Sequence, residues 1–210
     1  MKKLGILLAS LVTVTLVLSA IGCSSGGGGG GGGSVATPTH TVAATNTPAT
    51  TPRPGASQTQ TEAVSSDVLI SFLPGPPSGW EAQGDGFGAT FTNEGCSSSQ
   101  SDAMREYLNT ATDENAGVYI EDSGGCSHDP YLSTFQTFAS PEYQALGVYK
   151  SVTVAGYPAL RYNHVDKEIS ESQLFVLVAD RFVVMITSDK EATVNTFSNL
   201  INYHGIAALK

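Results

Sequence analysis

The sequence predicts an α+β fold, an antiparallel β-sheet flanked by helices and preceded by a disordered Gly/Thr/Pro-rich tether. Three observations predict it. Residues 148–155, 159–165, 174–179 and 182–187 are β-branched or aromatic runs with short connections, the signature of an antiparallel meander. Residues 188–205 show helical periodicity behind Ser188 and Glu191, which are spaced as a capping box. Before about residue 66 the chain is almost free of the apolar side chains that a core requires.

The meander supplies the strongest constraint. Residues 174–178 and 182–186 are apolar at every position, so both faces of that hairpin should be covered, by helices or by a second sheet. Gly156-Tyr157-Pro158 marks the first turn and Ala179-Asp180-Arg181 the last. In the following helix Val194, Phe197, Leu200 and Ile201 share a face, with His204 in the last turn and Gly205 as the stop.

The preceding half mixes signals. Residues 68–73 read as a short helix halted by Leu73-Pro74-Gly75-Pro76-Pro77, with a strand starting near Trp80. Residues 86–93 alternate Phe87, Ala89 and Phe91 as a weak strand. Ser99 and Asp102 are placed to cap a helix whose Ala103, Met104, Tyr107, Leu108 and Ala111 form one stripe. Residues 118–121 read as extended, and residues 131–138 as a helix after Pro130.

The 210 residues therefore divide into a targeting segment at 1–22, a tether at 23–65 and one domain at 66–210. Gly26 to Gly33 is an unbroken glycine run, and residues 34–61 place Ser or Thr at 11 of 28 positions. As a flexible coil, residues 24–65 would span roughly 35–40 Å. The domain carries seven basic against eighteen acidic residues, a net of −11. That charge repels nucleic acid, and no Lys/Arg run is present to neutralise phosphates.

Lys2 and Lys3 precede an apolar stretch over residues 4–18, the layout of an export signal. The following Leu18-Ser19-Ala20-Ile21-Gly22-Cys23 resembles the lipobox of prokaryotic lipoproteins, with Ala20 where that family more often has Leu. The resemblance implies cleavage after Gly22 and lipidation of Cys23. An uncleaved signal anchor is the alternative, since residues 4–21 reach the lower length limit for spanning. Either reading expects the domain in the cell envelope, on the outer side of the cytoplasmic membrane or in the outer membrane. With Cys23 assigned to lipid, Cys96 and Cys126 remain as an even pair and are expected to form a disulfide. A thiolate metal site with His128 and Asp129 is the alternative, without the usual CxxC or HxxxH spacing.

Residues 152–159 and 177–184, with the terminal helix, resemble the PsbP-like domains. That resemblance implies an antiparallel sheet flanked by helices and an accessory or binding role, and it carries no set of active-site residues onto this chain.

Chemistry-bearing residues are densest from Glu121 to Asp129, where Glu121, Asp122, His128 and Asp129 could meet around a cation. Turn and helix-cap roles explain the same residues. Ser97 to Ser99 read as loop and cap residues, with no Gly-x-Ser-x-Gly elbow nearby. His164 and Asp166 share a strand face, Asp180 and Arg181 read as turn and edge residues, and Trp80 as a core anchor. P-loop, Rossmann, HExxH and CxxC patterns are absent. The expectation is a non-catalytic binding or accessory protein without cofactor, held to the membrane through Cys23 and meeting an envelope protein partner. An extracytoplasmic hydrolase and a small-solute-binding lipoprotein are the alternatives.

Overall fold

The computed structural model describes residues 62–94, 96–126, 128–165 and 170–209. The targeting segment, the tether up to residue 61, Cys23 and Asp166 lie outside the described residues. Eight strands form one antiparallel sheet: β1 (Trp80–Ala82), β2 (Phe87–Phe91), β3 (Gln100–Asn109), β4 (Glu114–Asp122), β5 (Tyr149–Val154), β6 (Tyr157–Val165), β7 (Ser170–Val178) and β8 (Phe182–Ser188). Their order is β1-β3-β4-β8-β7-β6-β5, with β2 also pairing β3 beside β1. Five helices accompany them: α1 (Ser66–Ile70), α2 (Pro130–Phe138), α3 (Pro141–Ala145), α4 (Glu191–Ser198) and α5 (Tyr203–Ala207). The α+β class is thus observed.

The meander forms as its β-branched runs dictate, with β5, β6, β7 and β8 pairing in sequence. The β5–β6 turn uses two residues, Ala155 and Gly156 at φ 50° and 87°, and the β7–β8 turn three, Ala179 to Arg181, with Ala179 and Asp180 at φ 58° and 56°. Positive φ at both central positions matches the right-handed twist of the flanking strands. The first turn is one residue earlier than Gly156-Tyr157-Pro158 suggested, because Tyr157 and Pro158 already pair with Val154 and Thr153.

Both faces of the β7–β8 hairpin are covered, and the covering is helical. On the first face Tyr107, Ile120, Leu174, Val176 and Ile186 meet Leu69 of α1, Val194 and Phe197 of α4 and Ile206 of α5. On the second face Leu160, Phe175, Leu177 and Val183 meet Leu132 and Phe135 of α2. Each such side chain contributes roughly 1.5–3 kcal/mol on full burial.

The expected helix over residues 100–111 is a ten-residue strand. Ala103 pairs with Ile120 and Tyr107 with Ala116 on one side, while β1 and β2 occupy the other. Its apolar residues fit a helical stripe, but two flanking ladders outweigh that local preference. Ser99 and Asp102 consequently cap nothing, and Asp102 Oδ1 instead accepts the Ala89 N–H at 2.8 Å.

The terminal helix also differs from expectation. Ser188 ends β8, where its hydroxyl donates to the Asn115 carbonyl, and Lys190 precedes α4 without a side-chain cap. Glu191 pairs with Arg161 at 2.6 Å rather than closing a capping box. The helix breaks after Ser198 and restarts as α5, where Asn202 Oδ1 accepts the Gly205 N–H at 2.9 Å. Gly205 is therefore no terminator. A Cβ there would stand 2.8 Å from Phe72 Cε1 and 2.5 Å from Asn202 Nδ2, so the glycine permits close approach. His204 sits near the start of α5, with Nδ1 3.1 Å from the Tyr157 hydroxyl.

Among the described residues no helix is long and apolar enough to cross a membrane. Trp80 packs edge-on against Phe197 at 5.2 Å, and Tyr107 tilts against the same ring at 4.6 Å, so Trp80 does anchor the core. Phe197→Ala is expected to destabilise the domain by about 3–5 kcal/mol, measured as a lower urea midpoint with unchanged slope.

Candidate functional site

The polar residues gather where β3 and β4 end beside residues 123–129 and the start of α2. Glu121 and Asp122 are neighbours on β4, so strand alternation sends them to opposite faces. That separation decides what the cluster can do. Glu121 faces the second side, towards α2, while Asp122 serves the β8 turn and the segment that enters the domain at Glu62.

Asp122 is fully buried and accepts four hydrogen bonds. Its Oδ1 takes Arg181 Nε at 2.6 Å and the Gly124 N–H at 2.9 Å, and its Oδ2 takes Arg181 Nη2 and the Val64 N–H, each at 2.7 Å. Arg181, the last residue of the β7–β8 turn as expected, is also a buried bidentate partner, which its local context did not suggest. Its Nη2 also donates to the Glu62 carbonyl at 2.9 Å, and Ser101 Oγ donates to the Val64 carbonyl. The polar clamp therefore holds residues 62–64, which join the domain ahead of α1. Asp180 remains exposed in the turn.

On the other face Glu121 and Asp129 are buried with Gln100. Asp129 opens α2 by accepting the Tyr131 and Leu132 N–H groups through Oδ1 at 3.0 and 2.8 Å, the cap expected of Asp-Pro. Its Oδ2 accepts from Gln100 Nε2. The Tyr119 hydroxyl lies 3.2 Å from Asp102 Oδ2 and 3.4 Å from Glu121 Oε2. Burial, then the carboxylates Asp129 and Asp102, push the Glu121 carboxyl up to about 10. Burial likewise raises the Tyr119 and Tyr131 hydroxyls.

The sulfurs of Cys96 and Cys126 stand at disulfide distance, with Cα atoms 5.5 Å apart, which ties residues 96–99 to the loop before α2. Gly124, at φ 58°, lies so close to the Ser99 carbonyl that a Cβ would stand 2.0 Å from its oxygen. Ser98 Oγ donates to the Gly124 carbonyl at 2.8 Å, a loop role like that expected of Ser97 to Ser99. His128 is exposed beside the loop. Among the described residues no group of three or more His, Cys, Asp or Glu side chains could hold a metal ion. His164 is exposed on β6, paired across the ladder with Glu171, its ring parallel to Tyr162.

A second polar centre was not foreseen. Glu114 is buried at the start of β4 and accepts from Lys190 Nζ at 2.7 Å, from Ser188 Oγ at 3.2 Å and from Thr193 Oγ1. Burial opposes its ionisation, but the Lys190 and hydroxyl contacts prevail and hold the carboxyl below its usual value. No local pattern could reveal it, since its partners lie 74 or more residues away and meet it only through the β4–β8 ladder.

Exposed large apolar side chains lie elsewhere, among them Leu146, Val148, Val165 and Leu200 as well as one cross-strand pair. Phe87, 65% exposed, and Met104, 39% exposed, are cross-strand partners on β2 and β3. Beside them Gly84, Asp85, Arg105 and Glu106 line an open recess of about 320 Å³. Comparison with family models, curated proteins and solved structures finds no match to this chain.

Two stability outcomes follow from the buried charges. Arg181→Gln leaves Asp122 buried without its cation and is expected to cost about 3–5 kcal/mol. Adding Asp122→Asn should recover part of that loss in a chemical-denaturation cycle. For Glu114, a depressed carboxyl contributes stability above its unfolded value that is lost as pH falls through the folded one. Glu114→Gln is therefore expected to cost about 1.5–3 kcal/mol at pH 7, with thermal melts of the two proteins converging towards pH 3.

Proposed function

We propose that the chain is a non-catalytic binding or accessory module of the cell envelope, anchored by lipid on Cys23 and carried on a flexible tether that ends before residue 62, where the clamp on residues 62–64 begins. The lipobox-like residues 18–23 support the anchor, and the glycine run with its Thr/Pro-rich continuation supports the tether. The PsbP-like reading of the domain is part of the same proposal, supported by an antiparallel sheet with helices on both faces.

The observation that carries a binding role over hydrolysis is how the domain uses its reactive side chains. Asp129 caps α2, Arg181 neutralises Asp122, Ser98 and Ser188 donate to backbone carbonyls, and His204 meets Tyr157. Among the exposed apolar side chains, Phe87 and Met104 are cross-strand neighbours with a shallow recess beside them, edged by Glu106 and Asp85. An apolar spot rimmed by polar residues is the form of a contact surface, and we assign the envelope protein partner to it.

Intact mass of the membrane-extracted chain tests the anchor. The expected product lacks residues 1–22 and carries acyl mass at Cys23, and Cys23→Ala moves the protein to the soluble fraction; a product retaining Met1 sinks the anchor. For the surface, a photocrosslinker at residue 87 should capture one defined envelope protein. Phe87→Ser should abolish that product in the Met104-labelled chain while leaving the melting temperature unchanged, and persistence of the product would reject the surface.

A further inference from the structure

The two ends of the sheet are finished differently. At one end β5 is closed by a side chain: Gln144 of α3 accepts the Ser151 N–H at 3.1 Å and the Ser151 hydroxyl at 2.9 Å through Oε1. An occupied edge N–H beside an exposed Lys150 keeps a further strand away. At the other end β2 has no such device. It pairs β3 alone, and none of its residues Phe87–Phe91 is charged or a proline.

Strand alternation decides which groups of β2 face outward. Ala89 directs its N–H to Asp102 on β3, so the N–H and C=O groups of Gly88 and Thr90 point away from β3. Among the described residues no strand lies beyond β2, and no loop backbone bonds to these groups. Phe87, Ala89 and Phe91 share the second face, Phe87 exposed and the other two half-buried.

Charge then selects the strand that fits. Residues 80–109 hold five acids, Glu81, Asp85, Glu94, Asp102 and Glu106, against Arg105 alone. The Arg105 guanidinium is committed to the carbonyls of Leu73, Pro74 and Asp85. An incoming chain therefore meets carboxylates whose one local cation is already engaged, and opposite charges favour cross-strand pairing where like charges oppose it.

We propose that β2 is the receiving edge for an extended segment of the partner, one that carries basic side chains and joins the sheet as a further strand. This use of the edge depends on the contact surface assigned above. Main-chain hydrogen bonds to Gly88 and Thr90 hold the segment, apolar side chains lie beside Phe87 and Phe91, and basic side chains answer the surrounding acids.

Titration of the full chain with three blocked peptides of equal length, followed by amide NMR, tests strand addition. One peptide alternates valine and lysine, the second valine and glutamate, and the third is the first with every backbone amide N-methylated. The lysine peptide is expected to shift Gly88 and Thr90 and to slow their exchange about tenfold at saturation. The glutamate peptide should bind about tenfold more weakly, and the methylated peptide should not bind. Equal affinity for lysine and glutamate peptides, binding of the methylated one, shifts centred away from β2, or no shift at millimolar peptide would each overturn strand addition. Protection of Gly88 and Thr90 that rises with protein concentration alone would overturn it in favour of a second copy. In the chain crosslinked from residue 87, Thr90→Pro removes an outward N–H where an edge strand accepts proline, and the product should disappear. Product lost in Phe87→Ser but kept in Thr90→Pro overturns strand addition and leaves the contact surface standing; product kept in both rejects the surface itself. The peptide arms need no variant, so they decide the matter should Thr90→Pro fail to fold.

Discussion

Strands β4, β8 and β7 carry helices over both faces, so a side chain along them enters an interior whichever way it points. This constraint governs the rest of the structure. Apolar residues satisfy it without further arrangement, as the runs Leu174 to Val178 and Phe182 to Ile186 do. A polar residue on the same strands must find a partner where it lands. Glu114, Glu121 and Asp122 are three such residues on one strand, and each has a different solution: an exposed lysine with hydroxyl donors, the Tyr119 hydroxyl, and a buried guanidinium.

The same constraint explains which parts of the fold could be read from the chain. The meander was legible because doubly buried strands need unbroken β-branched runs, and the short turns between them left one pairing order. Strand β3 was not, since Ala103, Met104, Tyr107 and Leu108 satisfy a helical stripe, whereas as a strand they divide between two faces, Ala103 and Tyr107 buried and Met104 exposed. The partners β1, β2 and β4 decide for the strand, and they are the neighbouring segments of the chain, with β4 only four residues beyond β3. The false capping box at Ser188 has a related origin. A local donor–acceptor pattern was present, but Glu114 and the Asn115 carbonyl, brought in by the ladder, took the hydroxyl.

In the polar site, legibility followed sequence distance. The Asp129 cap rests on contacts two and three residues along the chain, readable from a local motif. The pairing of Cys96 with Cys126 was expected by elimination, and the sulfurs stand at disulfide distance. Arg181 was legible as a turn residue but not as a buried ion-pair partner, because its carboxylate is 59 residues away. The supposed convergence of Glu121, Asp122, His128 and Asp129 failed for a reason visible in principle: adjacent residues on a strand cannot share a face.

The two faces of the sheet are held by different physics, and this gives the second face its particular character. The first is closed by α1, α4 and α5 through large apolar side chains, whose burial changes little with pH. The second is closed by one nine-residue helix with two buried apolar side chains, supported by the Asp129 cap, its contact with Gln100 and the loop held at Cys126. That face is the more lightly covered of the two, because Leu132 and Phe135 are the only buried side chains of α2 over Leu160, Phe175, Leu177 and Val183. Its closure therefore leans on polar and covalent contacts at the start of α2, where the first face relies on apolar area spread over three helices.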